Sequence, residues 1–474
     1  MEHPEPELIF HGTPSALPAL EALGEAVWAE ALRWLTEEAL RRPMRRVPYA
    51  ELRRRYFGPS AAPAPAPVDG STSASVLAEF RERIAPYLFN AQFPGSFSYF
   101  TPPPLPMSIA GEVLAQWTQQ GIDVWAAGPI GALVEEEVTA WLRELVGFGE
   151  GSWGVLTSGG VMANIMALTV ARDVHLSRLL GLDGPPRGGA LERARVYASD
   201  QAHFSIARAL DILGFPPETL RIVPSDERFR LHAEPVAEAI AEDRASGHVP
   251  FAIAAVAGST NTGSVDLVGE LADLAEREGL WLHVDAAYGG AVRLSALVVR
   301  RREDLQRTFH RMPEYYRHPR PEDAPLNWFE YSMEGTRRFR ALKLWTSWKH
   351  LGTRGLADLV ERNLALTAYL VRRCRELPGF ELMPPEPELS VVCFRHVPEG
   401  LDPERLDAYQ DRLQIALEAS ERAWVSTTKL RGRTYLRAGI VNYLSSEVDV
   451  DRMLETLLEL SPRVRAELGS DYST

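Results

Sequence analysis

The chain has 474 residues, 45% of them apolar and 24% charged, with a formal net charge of −13. The size and composition suit a soluble globular protein of two domains, or of one large domain with appendages. The acidic balance argues against nucleic acid or an anionic membrane as partner, and no run approaches the roughly 20 apolar residues that a membrane span needs.

Two cysteines, Cys374 and Cys393, are too few for a disulfide framework. The opening "MEHPEPELIFHG" has neither the basic nor the apolar run of a signal peptide. A reducing, cytoplasmic setting is therefore expected. The basic residues are almost all arginine, and Lys343, Lys349 and Lys429 are the only lysines. Any chemistry that needs a lysine amine has three candidates.

In chain order, residues 15–57 carry apolar positions at helical spacing, which predicts an N-terminal helical segment. "GPSAAPAPAPVDG" (Gly58–Gly70) follows and reads as an extended surface linker, with a proline-rich ligand as the alternative. From about residue 80 to 350, short apolar runs alternate with amphipathic stretches, the pattern of α/β architecture. "FAIAAVAGST", "LVGELADLAEREG" and "LWLHVDAA" predict strand, helix and parallel strand, with Gly279 as helix stop. From about 365, "ELSVVCFRHV" and "TYLRAGIVNYL" alternate like strands exposed on one face. Arg431–Gly432 is a turn signal, and "SSEVDVDRMLETLLEL" is a closing helix capped by Ser446 or Ser445. The expected division is 1–80 helical segment and linker, 81–360 large domain, and 361–474 small α+β domain.

Four motifs carry chemistry. "GVLTSGGVMANIMAL" (Gly154–Leu168) is a strand, a Ser-Gly-Gly turn and a helix, which would cradle a phosphate or be an ordinary glycine turn. "YASDQAHFS" places His203 after a strand, where it stacks on an aromatic cofactor, serves as acid or base, or is structural. "AGSTNTGSVD" clusters Ser259, Thr260 and Thr262 where they can bind a polar ligand or build a βα loop. "HVDAAYGG" puts Asp285 at the carboxyl end of a buried strand, where open α/β sheets bind ligands. A protonated pyridinium nitrogen would pair with that carboxylate, and helix capping is the alternative. Neither a Walker loop nor GxGxxG is present, which disfavours a nucleotide site or a nicotinamide oxidoreductase.

Together and in this order, the motifs resemble the group II pyridoxal-phosphate-dependent amino-acid decarboxylases, which act on aromatic amino acids, histidine, glutamate and related substrates. The resemblance runs from about Ala85 to Leu460 and also takes in "SFSYFTPPPLP", "VEEEVTAWLRELVGF", "RRFRALKLW" and "LRAGIVNYL". It implies a fold-type I large domain with a mostly parallel sheet. It also implies pyridoxal 5′-phosphate as cofactor, an L-amino acid (aromatic by family breadth) as substrate, no metal, and a homodimer with sites at the subunit interface. By resemblance Ser158 and Gly159 hold the phosphate, His203 stacks on the ring, and Thr260 and Ala287 sit beside the cofactor. Asp285 pairs with its nitrogen, Thr101 lines the substrate pocket, and Tyr315 is the mobile-loop proton donor.

One departure is large. The family continues from "HVDAAYGG" through a helix to a strand ending in a Ser/Asn-x-x-x-His-Lys-Trp segment, whose lysine forms the Schiff base. Here "GGAVRLS" joins "ALVVRRREDL" directly near Ser295–Ala296, so on the order of forty residues are absent, given usual element lengths. Lys343 and Lys349 lie on a predicted helix and Lys429 beside a turn, none with the environment required. Without the missing strand, its neighbours must close the gap or keep unpaired edges. Smaller departures are Val161, where a hydroxyl is usual, and Phe93, where a histidine is common. The expected function is decarboxylation of an L-amino acid. The alternative is a catalytically impaired relative that binds cofactor or serves as a dimerisation partner.

Overall fold

The computed structural model describes residues 4–9, 12–289, 295–311 and 326–470. The chain forms two compact units, one of Met1–Pro103, Arg362–Met383 and Val392–Thr474, the other of Pro104–Glu361 and Pro384–Val391.

In the first unit the N-terminal helices are Leu17–Trp34 and Tyr49–Phe57. The helical pattern is interrupted between them, where Pro43 and Pro48 remove backbone donors and push the preceding residues out of the helical region. The Gly58–Gly70 stretch has no helix or strand and is almost wholly exposed. The small sheet has the order β7 (Phe380–Leu382), β8 (Val391–His396), β10 (Arg433–Gly439), β9 (Ser426–Leu430). Arg431 and Gly432 both have positive φ, 51° and 79°. That is the two-residue hairpin turn whose twist matches the strands it joins.

Strands β8 and β10 were expected to be exposed on one face, and they are not. Every residue of β8 and all but the first of β10 is buried. One face packs on Leu370, Leu413, Leu454 and their neighbours. On the other, Arg437 reaches the Ser98 carbonyl at 3.1 Å and lies over the Phe100 ring at 4.5 Å. The polar residues that suggested solvent instead hold the segment 96–100. Ser446 precedes the last helix, Glu447–Ser470, and its backbone N–H donates to the Asp449 carboxylate at 3.0 Å, one half of a capping box, with its hydroxyl donating to the same oxygen at 2.6 Å.

In the second unit, β2 (Ala194–Ser199), β3 (Leu220–Val223), β4 (Val249–Val256) and β5 (Trp281–Asp285) form a parallel sheet of order β3-β2-β4-β5. Strand β4, the helix Val268–Glu278 and β5 realise the expected crossover, and Gly279 ends the helix in the left-handed region at φ 67°. Two apolar clusters enclose the sheet, one holding Val196, Ala198 and Phe251, the other Tyr197, Ile253 and Leu274. Each fully buried Val, Leu, Ile or Phe there contributes about 1.5–3 kcal/mol.

Strand β1 (Trp153–Leu156) stands apart, pairing antiparallel with β6 (Ala296–Val299) in register Trp153↔Val299 to Leu156↔Ala296. Among the described residues β5 pairs with β4 alone and β6 with β1 alone.

Candidate active site

Strand β5 places His283 and Asp285 two residues apart, on one buried face. The helix Gly160–Val170 supplies Asn164, a buried amide in an otherwise apolar run. Its Nδ2 donates to Asp285 Oδ2 at 2.8 Å and to Ser205 Oγ at 2.8 Å, while its Oδ1 accepts from His283 Nε2 at 2.8 Å. Both amide hydrogens and the carbonyl are thereby used. Asp285 Oδ1 also accepts from the Ala287 backbone N–H at 3.0 Å. These donors are neutral, and among the described residues no arginine or lysine pairs with Asp285.

His203 is tied to the same network. Its Nδ1 lies 2.7 Å from Ser205 Oγ and 3.3 Å from the Ser205 backbone N. A backbone N–H can only donate, so Nδ1 accepts and Nε2 carries the hydrogen. Burial holds His203 below its ordinary pKa, and Arg208 adds to this against the opposing pull of Asp285. The ring is neutral at pH 7. Burial lowers His283 as well.

The Ser-Gly-Gly turn follows β1. Gly159 precedes the helix Gly160–Val170, which starts without a side-chain cap. Its first backbone N–H groups have no helical partner, an arrangement that favours an anion. A Cβ on Gly160 would stand 3.0 Å from the Ala287 side chain, so this glycine lets the turn approach the end of β5. Gly289 does the same against the Ala257 carbonyl, where a Cβ would not fit. Ser158 is exposed, and near it stands Glu334, whose carboxylate Arg340 holds at 2.6 Å. Burial would raise Glu334, but the hydrogen bonds from Arg340 and Ser158 keep it below the usual carboxylate range. The turn itself is anchored from below. The buried Arg337 pairs with Glu135 and donates to the Leu156 carbonyl at 2.8 Å, and Glu135 accepts from the Leu156 N–H at 3.0 Å.

In the third motif the structure divides the hydroxyls. Ser259, Thr262 and Ser264 are buried and bond one another at 2.7–3.0 Å, so Ser259 and Thr262 build the loop. Thr260 is exposed. Thr101 belongs to the first compact unit. Tyr315 lies outside the described residues. Asn164, Ser205, His283 and Glu334 were given no role in the sequence reading. The available signal for Asn164 was a polar residue inside an apolar helix, one turn past a glycine turn.

The three lysines are accounted for. Lys343 pairs with Glu112 at 2.9 Å. Lys349 pairs with Glu137 at 3.1 Å and lies over the Trp141 ring at 5.0 Å. Lys429 is exposed on β9, in the first unit.

The profile of the "pyridoxal-dependent decarboxylase conserved domain" matches residues 59–295 and 291–397. The chain belongs to this family. Relatives include an aromatic-L-amino-acid decarboxylase of Bacillus atrophaeus, 28% identical over 83% of this chain and 86% of the relative. Cysteine sulfinic acid decarboxylase of Mus musculus is 31% identical over 74% and 79%. L-2,4-diaminobutyrate decarboxylase of Acinetobacter baumannii is 27% identical over 80% and 82%. Among solved structures, mouse CSAD matches with a TM-score of 0.84 and 26% identity, over 95% of this chain and 99% of that one. Oryza sativa TDC with PLP and tryptamine matches in fold with a TM-score of 0.85 and 24% identity, over 95% and 99%.

The fold is therefore the fold-type I α/β architecture, the cofactor is pyridoxal phosphate, and the family reaction is decarboxylation of an amino acid. The residues present fit the cofactor's ring and phosphate. A buried carboxylate with only neutral donors suits a protonated ring nitrogen, and the uncapped helix start suits a phosphate. They do not fit its usual covalent anchor, because no lysine lies in the network described here.

Proposed function

We propose that this chain seats pyridoxal phosphate on Asp285, His203, Thr260, Ala287 and the Ser158–Gly159 turn, and acts on an aromatic L-amino acid. When bound, the cofactor supplies an electron sink for the pair left by departing carbon dioxide. Asp285, oriented by Asn164, would keep a proton on the ring nitrogen. Neutral His203 would cover the ring and offer its Nε2–H. Thr101 would contribute to the substrate pocket and Tyr315 would return a proton to the product. The observation that carries this reading is the continuous network His203–Ser205–Asn164–Asp285.

We further propose a homodimer in a reducing cytoplasm, with the large domain over 81–360 and the small one over 361–474. On the helix Pro106–Thr118, Ile109, Val113 and Trp117 recur every four residues and are 41%, 51% and 60% exposed. Such a stripe supports a partner surface. Among the described residues no helix is long and apolar enough to cross a membrane.

A second reading, an impaired relative, has its own support. The lysines have other partners or lie on β9, the profile match comes in two pieces that overlap at 291–295, and among the described residues β5 and β6 each have one paired edge. We combine the two: the site binds cofactor and amino acid but turns over slowly. The test is carbon dioxide release by the cofactor-saturated chain from tryptophan, tyrosine, cysteine sulfinate and diaminobutyrate. A low rate confined to the aromatic substrates is expected. Rates of about 1–10 s⁻¹, ordinary for an enzyme, would remove the impairment, and release from the other two substrates alone would remove the substrate assignment.

A further inference from the structure

The site recognises the cofactor by parts that do not include its aldehyde. On the proposed seating Asp285 would address the ring nitrogen, His203 the ring face, and the Ser158 turn the phosphate. In a site with a lysine, the aldehyde form gains a covalent bond that the amine form cannot make, and the protein selects the aldehyde. Here, among the described residues, no lysine is a partner of Asp285, Asn164, Ser205 or His203. Lys343 and Lys349 are held in ion pairs with Glu112 and Glu137, and Lys429 is on β9 of the other unit. The stretches 290–294 and 312–325, outside the described residues, contain no lysine in the sequence either.

We infer that this chain is a non-covalent B6-phosphate site that binds pyridoxamine phosphate as well as it binds pyridoxal phosphate. The inference rests on the cofactor assignment above and deepens it. The two forms share the phosphate, the ring nitrogen and the ring face, and differ only in the substituent at the ring's fourth carbon. Asp285, His203 and the Ser158–Gly159 turn would meet only the shared parts. Both forms are held reversibly, and loss of Asp285 weakens both together.

The test titrates the purified full-length chain with each form, following protein fluorescence and ligand absorbance, and treats each complex with borohydride before mass analysis. The expected result is two dissociation constants within about threefold of one another. Both should rise in parallel in Asp285→Asn, with no reduced adduct on any peptide. A preference for the aldehyde above about thirtyfold, with an adduct mapped to Lys343, Lys349 or Lys429, would overturn the inference and leave the cofactor assignment standing. Failure of both forms to bind the unmodified chain at about 1 mM would overturn the cofactor assignment and the inference with it. The Asp285→Asn arm is read only alongside an unchanged circular dichroism spectrum, and the comparison of the two forms on the unmodified chain does not depend on it.

Discussion

Asn164 touches three groups that otherwise have few partners. Its loss strands one oxygen of Asp285 and the His283 ring nitrogen in a buried setting, and leaves the Ser205 hydroxyl with His203 alone. A buried polar group left unsatisfied costs about 1–3 kcal/mol. Asn164→Leu, close in size, should therefore lower unfolding free energy by about 2–5 kcal/mol, allowing for partial rearrangement. Chemical denaturation measures this, and a loss under about 0.5 kcal/mol, the level of an ordinary surface change, would show that the network does not act as a unit. His203 and Asp285 were legible in the sequence because each follows a strand within a recognisable motif. Asn164 was not, because its importance lies in partners 41 and 121 residues away. Glu334 was hidden for the same reason: nothing local to "SMEGT" says that its carboxylate stands near Ser158.

At the scale of elements, the strand–helix–strand unit ending at Asp285 was readable because periodicity, length and the Gly279 stop agree. The exposure of β8 and β10 was misread because alternation records residue polarity, not what covers it. Arginines there are buried by bonding backbone and stacking on rings. The break between β5 and β6 was foreshadowed by the abrupt joining of two motifs. Which outcome followed was a tertiary matter that only the pairing pattern revealed. Its consequence is measurable. In a parallel strand alternate N–H groups face opposite neighbours, and those of β5 that face away from β4 have no ladder partner among the described residues. They should exchange with solvent orders of magnitude faster than those of β4, which has a neighbour on each side. Residue-specific hydrogen exchange distinguishes the cases. Equal protection along β4 and β5 would mean that the edge is covered in solution.

Over the whole molecule, imidazoles lowered by burial favour a loss of stability on acidification, and carboxyls raised by burial oppose it. His175, His203 and His283 are all lowered by burial, and His396 is brought from 6.5 to about 4 by burial and Arg465. Unfolded, each would take a proton near pH 6.5 that the folded imidazole resists, and for His396 this difference spans about pH 6.5 to 4. The imidazoles' contribution to stability falls as pH falls below 6.5. Asp266 acts the other way. Burial raises it from 3.8 to about 6, even though its carboxylate accepts the Leu231 and Val256 N–H groups. Its contribution is present below pH 3.8 and is lost as pH rises through 6. Glu135, raised by burial against the pull of Arg337, and Asp411, raised by burial, act in the same sense as Asp266, and the four imidazoles act in the other. The two variants should then bend the profile in opposite directions. Asp266→Asn removes one opposing group and should bend the melting-temperature profile between pH 6.5 and 4 toward a steeper fall on acidification. His396→Gln removes one driver and should make it shallower, whatever either change does to stability at pH 7. Melting curves across that range decide the matter, and parallel profiles for all three proteins would place the acid sensitivity in other groups.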